Sequence, residues 1–319
     1  MFRIKLFLTF LAFTFTTANY AQFTDVINSN RPGQSMSAFS VGLTVFQVEA
    51  GLYGTRSEHE LRNWESEGVG GELSLRYGVY REELEIIADL IYQNDVYKTP
   101  FTSHRRAALK QSTIGAKYLV WDPAKNYEEK PDLKSWKNNQ GFRWRHLLPA
   151  VAVYAGANIN LTDNEFSFPS DRNLSPKLML ITQNQLGRFV LVTNFIYDKG
   201  TTNFPTSAYI VTLTHGFHER LSAFIENQGI QSDYYADSIL RGGAAWLVAE
   251  NFQIDAHIGT SLKSTPSLLQ GGIGLSWRFD KNYSDVLLTV PIEDDKDKAK
   301  KKKNTKKRKD EVETEETGL

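Results

Sequence analysis

The sequence predicts an all-β protein: a single antiparallel up-and-down transmembrane β-barrel of about twelve strands. Three observations carry that prediction. The N-terminus is a secretory leader with no membrane-spanning helix behind it, a long series of segments alternates apolar and polar residues, and the connections between those segments sort by length.

The opening stretch, 1–21, places Arg3 and Lys5 ahead of an apolar run from Leu6 to Phe15 and ends in small residues at Ala21. That is the order of a secretory signal peptide, and the run falls short of the roughly 20 residues a spanning helix needs. No later window is apolar for long enough to cross as a helix, so an exported chain of this kind is either soluble or a barrel. Hydrophobic residues at 41%, aromatics at 12% and charged residues at 23% exclude a wholly disordered polymer. The absence of cysteine removes disulfides, thiolate metal sites, a cysteine nucleophile and a lipid-modified N-terminal cysteine.

Residues 22–43 are polar and rich in turn formers. Two readings stay open for them: a periplasmic leader, or a plug folded into the lumen with Arg31 reaching inward acids such as Glu49. From there to residue 281 the chain reads as barrel. Twelve alternating segments follow at 44–54, 70–80, 83–94, 109–121, 146–158, 177–186, 189–198, 207–216, 220–229, 237–248, 251–262 and 269–280. Connections after even-numbered segments are mostly tight, and those after odd-numbered segments are mostly longer, at 55–69, 95–108, 159–176, 199–206, 230–236 and 263–268. Short periplasmic turns and longer outside loops on an even strand count mark an outer-membrane barrel of a Gram-negative bacterium. The stretch 122–145 breaks the pattern as a long periplasmic excursion.

Alternation assigns the faces. In 45–54, Phe46, Val48, Ala50 and Leu52 lie opposite Gln47 and Glu49. In 70–80, Leu73, Leu75, Tyr77 and Val79 lie opposite Glu72, Ser74 and Arg76. Residues 83–94, 251–262 and 269–280 repeat the pattern, with Glu85 and Asp89, Asp255 and His257, and Arg278 on their polar sides. A charge facing lipid near the midplane costs about 2–4 kcal/mol, so the charge-free faces are predicted to meet lipid. Tyr80, Tyr118, Trp121, Trp144, Trp246, Trp277 and Phe279 cluster at the inferred periplasmic ends as an interfacial girdle.

The segments NRPGQSMSAFSVGLTVFQVEAGLYG (30–54), SAFIENQG (222–229) and GIGLSWRF (272–279) resemble outer-membrane transporters of the phenol-degradation (MetA-type) family. The resemblance covers residues 25–280 and implies a barrel that passes small, aromatic or apolar molecules. A charged extension of about forty residues beyond the last strand departs from it.

The inward set predicted to line the lumen is Gln47, Glu49, Glu72, Arg76, Glu85, Asp89, Lys117, Glu226, Arg241, Asp255, His257 and Arg278. Opposed charges in a bore either set up a transverse field that sorts solutes or pair across the lumen and close it. The leading function is passive diffusion of small molecules. The alternative is a closed barrel serving as a structural subunit through 122–145 and the tail. No enzyme is expected: the sequence has no phosphate loop, no G-x-S-x-G elbow and no metal-ligand spacing among its six histidines. No cofactor and no metal are expected. The tail, 282–319, runs acidic, basic, then acidic, and reads as a disordered periplasmic arm. Behind a secretory signal its lysine run does not imply nucleic acid. It is either a solubilising extension or a docking arm for an anionic surface such as the cell wall or an acidic periplasmic protein, with membrane lipid and small solutes the barrel's other partners.

Overall fold

The computed structural model describes residues 27–125, 147–160, 164–166 and 173–279. The signal 1–21, the tail 282–319, Trp144 and most of the 122–145 excursion lie outside them. Twelve strands follow in chain order: β1 Phe46–His59, β2 Trp64–Gly78, β3 Leu84–Lys98, β4 Ser103–Trp121, β5 Ala150–Ile159, β6 Leu174–Leu186, β7 Phe189–Asp198, β8 Thr206–His218, β9 Leu221–Ser232, β10 Ala236–Ala249, β11 Phe252–Ser261 and β12 Ser267–Phe279. Each pairs antiparallel with its sequence neighbours, and β1 closes against β12 in the register Phe46↔Phe279 to Glu58↔Ser267. The inner end, by the rule that termini and tight turns are periplasmic, carries Phe46, Phe279 and the turns 187–188, 219–220 and 250–251. Gly187 sits there at φ 62°, in the left-handed region that glycine enters without steric cost.

The strands run further outward than the alternation in the sequence indicates. The connection expected at 55–69 shrinks to 60–63, 95–108 shrinks to 99–102, and 230–236 shrinks to 233–235. The reason is the solvent change. Lipid imposes a charge-free outward face only across its own thickness, about 9–11 residues of strand. On β2 that face is free of charge from Val69 to Tyr77 and then carries Glu65 and Glu67. Past the lipid, backbone pairing continues while the apolar marker disappears. Arg56 and Glu65 form an exposed ion pair at 3.3 Å in this outer extension.

Within the belt the outward residues are large and exposed, among them Leu52, Val69, Ile258 and Ile273, each more than 60% accessible. Their accessibility marks a surface made for acyl chains. Phe46, Tyr77, Trp277 and Phe279 ring the inner end, with Trp277 and Phe279 stacked at 4.6 Å.

The core is inside the barrel. Residues 27–45, ahead of β1, run through the bore and cover its inner half. Met36, Ala38 and the flanking Phe39 pack against Ile87 of β3, Leu119 of β4, Ala150, Ala152 and Tyr154 of β5, and Met179 and Ile181 of β6. The inward face of β3–β6 therefore carries an apolar patch beside buried charges such as Glu85 and Lys117.

Candidate functional site

The charged side of the bore grips this segment. Arg76 on β2 is wholly buried. Its Nη1 donates to Glu49 Oε1 (3.0 Å) and to the Asn28 carbonyl (2.8 Å), and its Nη2 donates to both Glu85 carboxylate oxygens at 3.1 Å. Lys117 on β4, placed opposite Glu85 by the strand register, meets that carboxylate at 2.7 Å and donates to the carbonyls of Ser37 (2.6 Å) and Phe39 (2.8 Å). Gln47 donates to Glu49 (2.7 Å) and to the Asn28 carbonyl (3.1 Å).

A buried segment without a sheet partner must satisfy its backbone through side chains. Here the Val41 N–H donates to Glu85 (2.9 Å) and the N–H groups of Gln34 and Ser35 donate to Glu226 (3.0 and 3.2 Å). Met36 exchanges both of its backbone bonds with the Asn194 side chain, and the Ala38 N–H donates to Gln183. Gln183 and Asn194 carry no charge, so a reading of the inward faces by charge passes over both of these anchors.

Arg31 enters the bore between two acids. Its Nη1 meets Glu72 at 2.8 Å and its Nη2 meets Asp255 at 3.2 Å. The backbone N–H of Asn30 donates to Glu49 (3.3 Å), so the sequence expectation that Arg31 itself reaches Glu49 is corrected: Arg76 and Gln47 already occupy that carboxylate. Burial works against the charge on Arg31, and Asp255 and Glu72 outweigh it, so its pKa lies above the ordinary value. The guanidinium rests on two glycines, Gly51 of β1 and Gly274 of β12, which face each other in register. A Cβ at either would overlap it.

The remaining members of the predicted lumen set divide between this packed layer and a cavity. Arg241 pairs with Glu226 at 3.1 Å. Arg278 is buried near the inner end. His257 is buried with neither ring nitrogen hydrogen-bonded, and its neighbour in the predicted pair, Asp255, is committed to Arg31. Among the described residues no three metal-ligating side chains gather. Glu72 and Asp89 face a cavity of about 200 Å³ on the outward side of the threaded segment, bounded also by Arg31, Met36, Lys177 and Ile196. A larger concavity, about 940 Å³, lies on the lipid-facing surface over Ala50, Gly71, Ala244 and Ala256 and is not part of the bore.

Further outward the wall of β1–β4 carries residues that the lumen set omits. Tyr53 and Lys110 both donate to Gln93 Oε1 (3.2 and 2.9 Å), while Ser66, Gln93 and Arg106 converge on Asp95 at 2.6–3.1 Å. Tyr53, Ser66, Gln93 and Asp95 keep the inward parity of β1–β3 and lie beyond or beside the charges chosen, whereas Arg106 and Lys110 are masked by a bulge that shifts the alternation of β4, with Ile91↔Gln111 followed by Tyr92↔Leu109.

A family model described as "Putative MetA-pathway of phenol degradation" matches residues 29–279. No curated protein matches the sequence. Solved structures with similar backbones include an outer membrane channel from Pseudomonas putida F1, with 9% identity, a TM-score of 0.49, and coverage of 79% of this chain and 100% of that one. The translocator domain of the autotransporter NalP from Neisseria meningitidis has 9% identity and a TM-score of 0.46, covering 74% and 89%. The CymD monoaromatic hydrocarbon channel has 10% identity and a TM-score of 0.40, covering 74% and 88%. At these scores none of the likenesses bears on function.

Proposed function

The chain belongs to the family described by that phenol-degradation model, and from this premise we propose that it is a channel of the Gram-negative outer membrane. It passes small aromatic or apolar molecules by passive diffusion, and residues 27–45 act as the plug of its bore. One observation carries the reading: the bore is divided. Its inner half is filled by a segment that precedes the barrel and belongs to no strand, while on the outward side of that segment a cavity of about 200 Å³ remains, with Glu72, Asp89 and Lys177 on its wall. A barrel serving only as a closed scaffold has no need of such a cavity. Passage then requires that the segment shift, and Arg31 is the catch, since releasing it frees Glu72 and Asp255 together.

The reading involves no catalytic step. The inward residues act in it by pairing: Gln47, Glu49, Arg76, Glu85 and Lys117 hold the plug's inner stretch, and Glu226 with Arg241 holds its middle. Glu72 and Asp89 meet the solute that reaches the cavity. The charged tail, 282–319, is a periplasmic arm in this reading.

Single-channel conductance of the refolded mature protein in planar bilayers tests it. Deleting residues 23–40 is expected to raise conductance well above that of the full chain, and Arg31→Ala is expected to move the full chain toward the deletion. Equal conductance in all three would remove the plug. Silence in all three would remove the channel.

A further inference from the structure

The mouth of the bore carries side chains that the plug and cavity leave unused. At the outer rim four rings cross four strands: His59 of β1, Trp64 of β2, Tyr97 of β3 and His104 of β4. Their successive centroids are 5.6, 5.5 and 5.4 Å apart. Strand register builds the row, with His59 opposite Trp64 and Tyr97 opposite His104. The row faces inward, because Trp64 shares the parity of Ser66, and Tyr97 that of Asp95, which bond to each other inside the bore.

Basic side chains descend β4 from that row. His104 belongs to it. Arg106 comes next and is committed to Asp95 through Nε (2.9 Å) and Nη2 (2.7 Å), with its guanidinium over the rings of Tyr97 (4.6 Å) and Phe166 (4.8 Å). Lys110 follows and differs from Arg31, Arg76, Arg106, Lys117 and Arg241, each of which is ion-paired. It is exposed in the bore, its ammonium makes one hydrogen bond, to the neutral Gln93, and among the described residues no carboxylate lies within ion-pair distance of it. It occupies the bulge of β4, which turns both Lys110 and Gln111 into the bore where strict alternation admits one of them. Bulges of this kind re-aim side chains at functional positions.

We propose that this wall is an entry track for aromatic anions. The solute's ring docks on the row at the rim and passes Arg106, which Asp95 holds, and its carboxylate is taken by Lys110. Ring stacking supplies contact that any planar solute can use. Lys110 selects charge, because an anion gains a charge-assisted bond there that a neutral ring does not. At about 3.3 Å of rise per residue, the rim ring Tyr97 and Gln93, which anchors Lys110, are about 13 Å apart. They are therefore successive stations and not one pocket, which suits a solute in transit. The flux part of this inference rests on the channel reading; the binding part does not.

The test uses the full mature chain and three probes: benzoate, benzyl alcohol and cyclohexanecarboxylate. Binding in detergent micelles is read by tryptophan fluorescence against a Trp64→Leu control, and entry is read by uptake into proteoliposomes. Benzoate is expected to quench saturably, and to bind about tenfold tighter than benzyl alcohol, the size of one charge-assisted bond. Lys110→Gln, which keeps a hydrogen-bonding side chain beside Gln93, is expected to erase that difference. Trp64→Leu with Tyr97→Leu is expected to bring benzoate down to the level of cyclohexanecarboxylate. Benzoate binding that matches benzyl alcohol in the wild-type chain, or that survives Lys110→Gln, overturns the track. No uptake of any probe alongside intact, Lys110-dependent benzoate binding would leave the track standing and remove the channel.

Discussion

Lys117 and Lys110 lie on the same strand and point into the same bore, yet they live in different solvents. Lys117 is wholly buried, ion-paired to Glu85 and bonded to two carbonyls of the threaded segment. Lys110 is exposed, and its ammonium is bonded only to a neutral amide. The inner half of the barrel behaves as a protein interior, in which every charge needs a partner because an unpaired buried charge costs several kcal/mol. The outer half behaves as a wet cleft, in which a charge can wait for a solute. Facing inward therefore does not mean one environment, and the segment 27–45 draws the line between the two.

Mutations should therefore cost most at the inner end and least at the outer. Lys117→Met leaves Glu85 with Arg76 as its one charged partner and removes two bonds to the threaded segment. It is expected to lower the folding free energy by about 3–5 kcal/mol in urea titrations of the barrel folded into lipid vesicles. A loss as small as that of an outer-half substitution would erase the contrast. Leu73→Arg introduces a charge on the lipid face, midway between Val69 and Tyr77, and is expected to cost about 2–4 kcal/mol in the same titration. Little change there would mean that this face does not meet the membrane centre.

Gly274→Ala places a methyl group where the Arg31 guanidinium rests. Overpacking of this sort costs about 1–3 kcal/mol, and the sharper readout is conductance, which should rise toward the level of Arg31→Ala. Wild-type conductance would mean that Arg31 has another resting place. Arg56→Gln, at the exposed outer pair with Glu65, is expected to change stability by no more than about 1 kcal/mol. A larger loss would show that the outer extension is as tightly organised as the inner half.

Much of this is legible in the residues. The faces of β1, β2, β3, β11 and β12 follow from alternation alone, since Leu52, Ile258 and Ile273 are exposed outside while Gln47, Glu49, Arg76 and Asp255 are buried inside. The strand ends are less legible, because the apolar marker stops where lipid stops and β1 and β2 pair on to His59 and Trp64. The apolar patch inside the bore is not legible either. Ile87, Leu119 and Met179 sit on faces that carry charge elsewhere, and nothing local marks them as the bed of Met36 and Ala38. Lys110 is hidden by its bulge, since one extra residue inverts the parity on which the assignment rests.

An exported chain, a closed set of about twelve antiparallel strands and the side of each strand that lipid touches can all be read without coordinates. They follow from local rules: a two-residue period, a bilayer that admits no unpaired edge, and a steep cost for charge on the outer face. Which inward charges are partners, and which are left for a solute, emerges only when the ring is closed. Glu72 and Asp255 are far apart in the chain and converge on Arg31 only because β1 closes against β12 and lays Gly51 beside Gly274. Pairing of that kind is a property of the closed ring, and no single strand contains it.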